Sequence, residues 1–278
     1  MPVSRRELIV AGLAVPVLGA ATLVLGRSPR GGHGSGPNYN SSLVKGLTPD
    51  KVEWDGRKWS ADMGSTWNQG MDHSFQFTDD KARFEIQPNP RDRGENDDPH
   101  KRRSELHATK DLLPNGVPLW GAMSFNHHGW SDRAGMTQQA QGGVHGQVHM
   151  HKFRGSPALA FRRRGDGSFL ITTRGENDGD GSKRWTGQVA FDRIHDLVYR
   201  LLLHPTDGAL DVWLDGAQIV SLKNVSIGSS LGGCYWCIGC YYGGGVTCPV
   251  VAEFANHVFF DPQPLSSRIG SPPAWPAA

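Results

Sequence analysis

Leu210-Asp211-Val212-Trp213-Leu214-Asp215-Gly216-Ala217-Gln218-Ile219-Val220-Ser221-Leu222 reads as two strands closed by a tight turn. Leu210, Val212 and Leu214 share one face while Asp211 and Trp213 share the other, the period-two pattern of a half-buried strand. Asp215-Gly216 supplies the chemistry of a two-residue hairpin turn, whose central positions need residues that tolerate positive φ. Outward from this hairpin, short β-rich runs recur at residues 82–87, 119–126, 144–153, 157–163, 168–173 and 250–260, separated by Gly, Pro, Asn and Asp. Residues 191–204 fit a helix or an extended run by apolar spacing and are read here as a strand. Many short strands at regular spacing predict an all-β sandwich or jelly roll. The hexapeptides at 93–98 and 174–179 are nearly alike, but two copies do not make a repeat architecture.

The 278 residues suit one large domain or two small ones, and their composition can build a sizeable core. The formal charge is +2, but Arg5, Arg6, Arg27 and Arg30 stand against Glu7 alone in the first thirty residues. Without that stretch 25 basic and 26 acidic residues remain, a net of −1. A polyanion would be held by local basic clusters, because no global field attracts one, and nothing points to nucleic acid. Ser4-Arg5-Arg6-Glu7-Leu8 places an Arg pair before the apolar run 8–25, the form of a twin-arginine export signal over residues 1–26. A single membrane anchor is the other reading, since the run is about long enough to span a bilayer. Export would make the protein secreted or extracytoplasmic, with no membrane partner afterwards. Residues 27–40 are a linker by composition, 41–261 one domain, and 262–278 a Pro- and Ser-rich tail.

Three segments carry candidate chemistry. In Arg102-Arg103-Ser104-Glu105-Leu106-His107, a strand would turn Arg103, Glu105 and His107 to one face. Three ionisable groups in a row do not suit an apolar core, so that face is a polar cleft or a solvated edge. An Arg–Glu pair there would fix the guanidinium fork for bidentate contact with a carboxylate. In Gly146-Gln147-Val148-His149-Met150-His151, Gln147, His149 and His151 share a face. An amide beside an imidazole can bind an anion and take up a proton, while His149 and His151 with His145 could instead ligate a metal. In Cys234-Tyr235-Trp236-Cys237-Ile238-Gly239-Cys240-Tyr241-Tyr242-Gly243, Tyr235, Cys237, Gly239 and Tyr241 share one face. Trp236, Ile238, Cys240 and Tyr242 share the other, which looks core-facing. Cys234, Cys237, Cys240 and Cys248 are spaced like a metal run, but a strand splays Cys237 and Cys240 apart. In an exported chain one or two disulfides are expected, with metal as the alternative.

Taken together and in this order, Arg103-Ser104-Glu105-Leu106, Gln147-Val148-His149 and Tyr235-Trp236-Cys237-Ile238-Gly239-Cys240-Tyr241 resemble motifs of the jelly-roll polysaccharide lyases. These include alginate lyases with Arg-Ser-Glu-Leu, Gln-Val-His and Tyr-Phe-Lys-x-Gly-x-Tyr, and their heparin-lyase-type and glucuronan-lyase relatives. Residues 195–219, with Val212-Trp213-Leu214-Asp215-Gly216, are similar to the strand pair before the Tyr motif of the heparin-lyase-type group. The resemblance covers residues 80–260. His107 stands where the alginate pattern has Arg, and Cys237 where it has Lys. Both changes remove cleft charge and point away from alginate, toward the heparin/glucuronan-type group.

The resemblance implies a concanavalin A-like jelly roll of two antiparallel sheets and β-elimination of a uronic-acid-containing polysaccharide. It implies no cofactor, leaves structural calcium open, and makes the partner an acidic polysaccharide met by a monomer. Arg103 and Gln147 would neutralise the uronate carboxylate, His149 would be the base, and Tyr241 the acid or both in turn. Lys101, Glu105, His107 and Tyr235 would bind substrate. Arg162-Arg163-Arg164 is a further basic patch or a solvated edge. Three rivals stand beside this reading, one of them a metal protein that uses the Cys run. A glycoside hydrolase needs two carboxylates flanking the bond. A carbohydrate-binding module would use the nine Trp residues for stacking.

Overall fold

The structure is a computed structural model that describes residues 52–54, 57–62, 74–77, 81–88, 102–108, 111–128, 142–151, 157–179, 181–231, 233–243, 246 and 248–275. The export segment, the linker, the hexapeptide at 93–98 and Lys101 lie outside the described residues.

Two antiparallel sheets face each other across one core, so the expected two-sheet jelly roll is the fold. The first sheet runs β1 (Val52–Trp54), β2 (Arg57–Asp62), β5 (Arg102–His107), β14 (Cys234–Tyr242), β7 (Gly143–Met150), β8 (Leu159–Arg163), β9 (Ser168–Thr173) and β10 (Ser182–Gln188). The second runs β13 (Ala217–Ile227), β12 (His204–Leu214), β11 (Ile194–Leu202), β6 (Pro118–His127), β15 (Val250–Asp261), β4 (Lys81–Ile86) and β3 (Phe75–Phe77). The β12–β13 hairpin closes as its residues require: Asp215 and Gly216 both take positive φ, 50° and 82°. The ambiguous stretch at 191–204 yields β11, its Leu197, Tyr199 and Leu201 facing the core.

Aromatic side chains knit the sheets together. Phe125 of β6 stacks on Phe169 of β9 across the core at 5.5 Å between centroids, and within the second sheet Phe84 of β4 meets Phe254 of β15 edge-on at 5.7 Å. The alternation of β14 holds, since Trp236, Ile238, Cys240 and Tyr242 are all in the core cluster while Cys237 is buried outside it. Short or polar strands gave no clear signal: β10 (SKRWTGQ) is an edge strand with much of its length exposed. The segment after β15 docks rather than trailing off. A short helix, α1 (Ser266–Ile269), brings Arg268 to both oxygens of Asp196, at 2.7 and 3.1 Å, and to the Asn256 carbonyl at 2.5 Å.

The structure shows no disulfide among the described residues. All four cysteines are buried thiols. Cys234 and Cys240 lie on the core face but six residues apart along β14, about 20 Å, far beyond the about 7 Å between Cα atoms that a disulfide allows. Cys237 points to the opposite face of the same strand.

Candidate active site

The site forms on the face of the first sheet turned away from the core, where three motif strands lie side by side as β5-β14-β7. Register places Arg103 opposite Tyr241, Glu105 opposite Gly239 and His107 opposite Cys237. On the other side of β14, Cys237 lies opposite Gln147, and Tyr235 opposite His149. Gly239 is what lets β5 and β14 close: its φ is +144°, and a Cβ there would meet the Ser104 carbonyl oxygen at 2.2 Å. The β7 register then slips between Ile238 and Tyr241, which brings Val144 opposite Tyr241.

Glu105 is the hub. It has no solvent exposure, and Gln147 Nε2 donates to its Oε1 at 2.8 Å. Arg103 Nη1 and His107 Nε2 approach Oε2 at 3.4 and 3.5 Å. Burial alone would raise the carboxyl pKa. The hydrogen bond from His107, the charges of Arg103 and His107 and the bond from Gln147 outweigh that and hold it below the usual value. The ionised carboxylate thus fixes Arg103 and Gln147 beside one another. The Arg103 guanidinium also lies over the Tyr241 ring, 4.5 Å from its centroid.

His149 is half-buried, and its Nδ1 lies 3.1 Å from the Met150 carbonyl oxygen. A carbonyl only accepts, so Nδ1 carries the proton and the neutral ring keeps its lone pair on Nε2. Burial lowers this imidazole's pKa, opposed by the Met150 bond and the Glu105 charge. Tyr235 is ringed by imidazoles, with centroids 5.5 Å from His149, 5.9 Å from His107 and 6.0 Å from His151. His145 does not join them. The register slip turns it into the core, where its ring packs 4.2 Å from His127 and its Nε2 lies 3.3 Å from the Tyr242 hydroxyl. The three-histidine metal reading therefore does not fit, and no metal-holding group of three is found among the described residues.

Arg103, Gln147, His149, Tyr241, Glu105, His107 and Tyr235 thus share one sheet face. Motif reading placed Glu105 among the substrate contacts, but it is the buried support under them. Motif reading also left Arg162 open. It lies on β8, opposite Val144, and is buried at the foot of this same face.

No protein-family model matches the chain, and no curated protein matches it in sequence. Solved structures do align with the chain. An endo-β-1,4-glucuronan lyase from the fungus Trichoderma reesei aligns with TM-score 0.49 and 12% identity, over 76% of this chain and 90% of that one. The alginate lyase A1-II′ aligns with TM-score 0.50 and 16% identity, over 72% of this chain and 92% of that one. The alginate lyase Aly36B aligns with TM-score 0.44 and 10% identity, over 74% and 93%. At such identities the likeness to A1-II′ shows a shared fold, and neither named activity is of the heparin-lyase type.

Proposed function

We propose that this chain is a polysaccharide lyase that cleaves a uronic-acid-containing polysaccharide by β-elimination. The observation that carries the reading is the set Arg103, Glu105 and Gln147. A buried, ionised carboxylate holds a guanidinium and an amide side by side on a face that also carries a neutral imidazole and two phenols. Arg103 and Gln147 receive the uronate carboxylate and hold the charge that spreads into it as the C5 proton leaves. His149 Nε2 takes that proton. The C5–H electron pair becomes the C4=C5 double bond, the C4–O4 bond breaks, and O4 takes a proton from a phenol. Tyr241, beside Arg103, is the phenol assigned to this step.

A second assignment rests on register. Tyr235 lies directly across from His149, whereas Tyr241 lies across from Val144, five positions farther along β7. The two phenols are separated by mutation. Tyr241→Phe is expected to cost about a hundredfold or more in turnover with the fold intact, the scale of a lost general acid. If Tyr235→Phe carries that loss and Tyr241→Phe does not, the roles exchange.

Glycoside hydrolysis fits less well, because both oxygens of Glu105 are engaged and the carboxylate is sealed from solvent. The deciding experiment is incubation with a panel of polyuronates, glucuronan and alginate among them, followed by ultraviolet absorbance of the unsaturated product. Absorbance should rise on at least one. Saccharide binding with no rise on any would make the protein a binding module. The segment at 1–26 is proposed as its export signal, and replacing Arg5 and Arg6 by Lys in a reporter fusion should stop export.

A further inference from the structure

Arg162 is a buried cation without a counter-charge among the described residues. Its relative exposure is 6%, and its Nε donates to the Thr172 hydroxyl at 3.2 Å. Among the described residues no acidic side chain pairs with it. Arg268, Arg83 and Arg103 are matched with Asp196, Glu85 and Glu105, and the buried Arg163 is held by the Gly167 and Val189 carbonyls. A guanidinium kept out of water without a carboxylate is costly, and an anionic ligand beside it would offset that cost. Burial pulls its pKa down to about 10, and the Tyr241 phenol lies near enough to oppose the fall.

Its placement is settled by register. Phe161 and Arg163 turn into the molecule, Phe161 into the core cluster and Arg163 onto the Gly167 and Val189 carbonyls. Arg162, between them, turns to the face that carries Gln147 and Tyr241. One row across the strands reads Arg103, Tyr241, Val144, Arg162. Arg103 and Arg162 therefore stand three strand spacings apart, about 14 Å between Cα atoms, with the Tyr241 phenol between them.

We propose that Arg162 binds the carboxylate of a second uronate in the same chain, on the far side of Tyr241 from the sugar held by Arg103 and Gln147. This rests on the lyase reading and narrows it. The substrate class is a run of contiguous uronates rather than a polymer in which uronates alternate with neutral or amino sugars. The planar fork of Arg162 suits a carboxylate bidentately, and the apolar floor of Val144 and Leu170 strengthens the pair by excluding water.

The test uses one homopolymeric polyuronate in which a graded, random fraction of the carboxylates has been reduced to alcohols. If two carboxylates are read together, the wild-type initial rate at low substrate falls with the square of the fraction remaining. Arg162→Gln should follow that fraction to the first power, and its kcat/KM on the unreduced polymer should fall about tenfold or more, mainly through KM. Arg162→Lys, which keeps the charge without the fork, should lie between, and it serves as the second variant if Arg162→Gln melts early. A squared dependence retained in Arg162→Gln overturns the proposal. So does an unchanged dependence with displaced limbs in the pH profile of kcat, which would mean that Arg162 acts through Tyr241. Should no polyuronate yield unsaturated product, the lyase reading fails on its own. Calorimetric titration of wild type and Arg162→Gln with charged and reduced oligouronates then still reads the second carboxylate.

Discussion

A carboxylate with no exposure is stable as an anion only among donors, and Glu105 has Arg103, His107 and Gln147 around it. Glu105→Gln keeps the shape but removes the charge that fixes Arg103. Turnover should fall at least about tenfold with a higher KM, and stability by roughly 3 kcal/mol, as when a buried pair loses one member. Steady-state kinetics and denaturant melts check both, and wild-type kinetics in this variant would remove Glu105 from its positioning role. His149 carries a second prediction. Burial holds its pKa below the ordinary 6.5, so the base form persists as the pH falls through that value. The acid limb of kcat/KM for the free enzyme should therefore lie below 6.5, and a limb at or above 6.5 would exclude His149 as the base.

Strand β14 decides what its neighbours can do. Its even-numbered residues fill the core and its odd-numbered ones floor the site, and Gly239 admits β5 to close contact. The same division turns Cys237 away from Cys234 and Cys240. Burial pushes the Cys234 thiol up to about 11 and the Cys240 thiol well above its usual value, so neither offers a thiolate at neutral pH. A thiol reagent should find four thiols after unfolding without reductant, and few in the native protein. Fewer than four on unfolding would restore the disulfide.

Between the sheets sits a set of imidazoles that bears on the stability of the whole domain. Among the described residues His127 has no hydrogen-bond partner at either ring nitrogen, and it packs against Phe125, at 4.7 Å, and His145. Burial holds His127 well below the ordinary imidazole pKa, helped by the charges of His145 and Arg163, and holds His145 at about 3. Both rings stay neutral in the fold but take up protons once unfolded. Stability is thus full above about 6.5 and falls as the pH drops, by up to about 1.4 kcal/mol per pH unit for each ring. Glu105 adds a loss below the ordinary carboxylate range, because its folded pKa is depressed. His127→Phe keeps an aromatic ring in the slot and deletes two unmatched nitrogens. Its melting temperature should gain on wild type increasingly between pH 7 and pH 5, as read by circular dichroism. Parallel curves for the two proteins would show that His127 is not a source of the acid sensitivity.

Period-two alternation is a local property, and so much could be read along the chain. The hairpin at Asp215-Gly216, the core face of β14, and the shared faces of Arg103 with Glu105 and of Gln147 with His149 all follow from residues one to four positions apart. Edge strands such as β10 were illegible because solvent-facing residues leave no apolar period. The rest depends on which strands become neighbours, which is settled by packing between segments distant in the chain. Only the order β5-β14-β7-β8 makes Glu105 a buried hub and carries Arg162 to the site. The slip opposite Ile238 to Tyr241 sends His145 into the core although its spacing from His149 suggested a shared face. A register shift is cross-strand geometry, set by a glycine on one strand and felt by a histidine on another, and no window along either strand contains both.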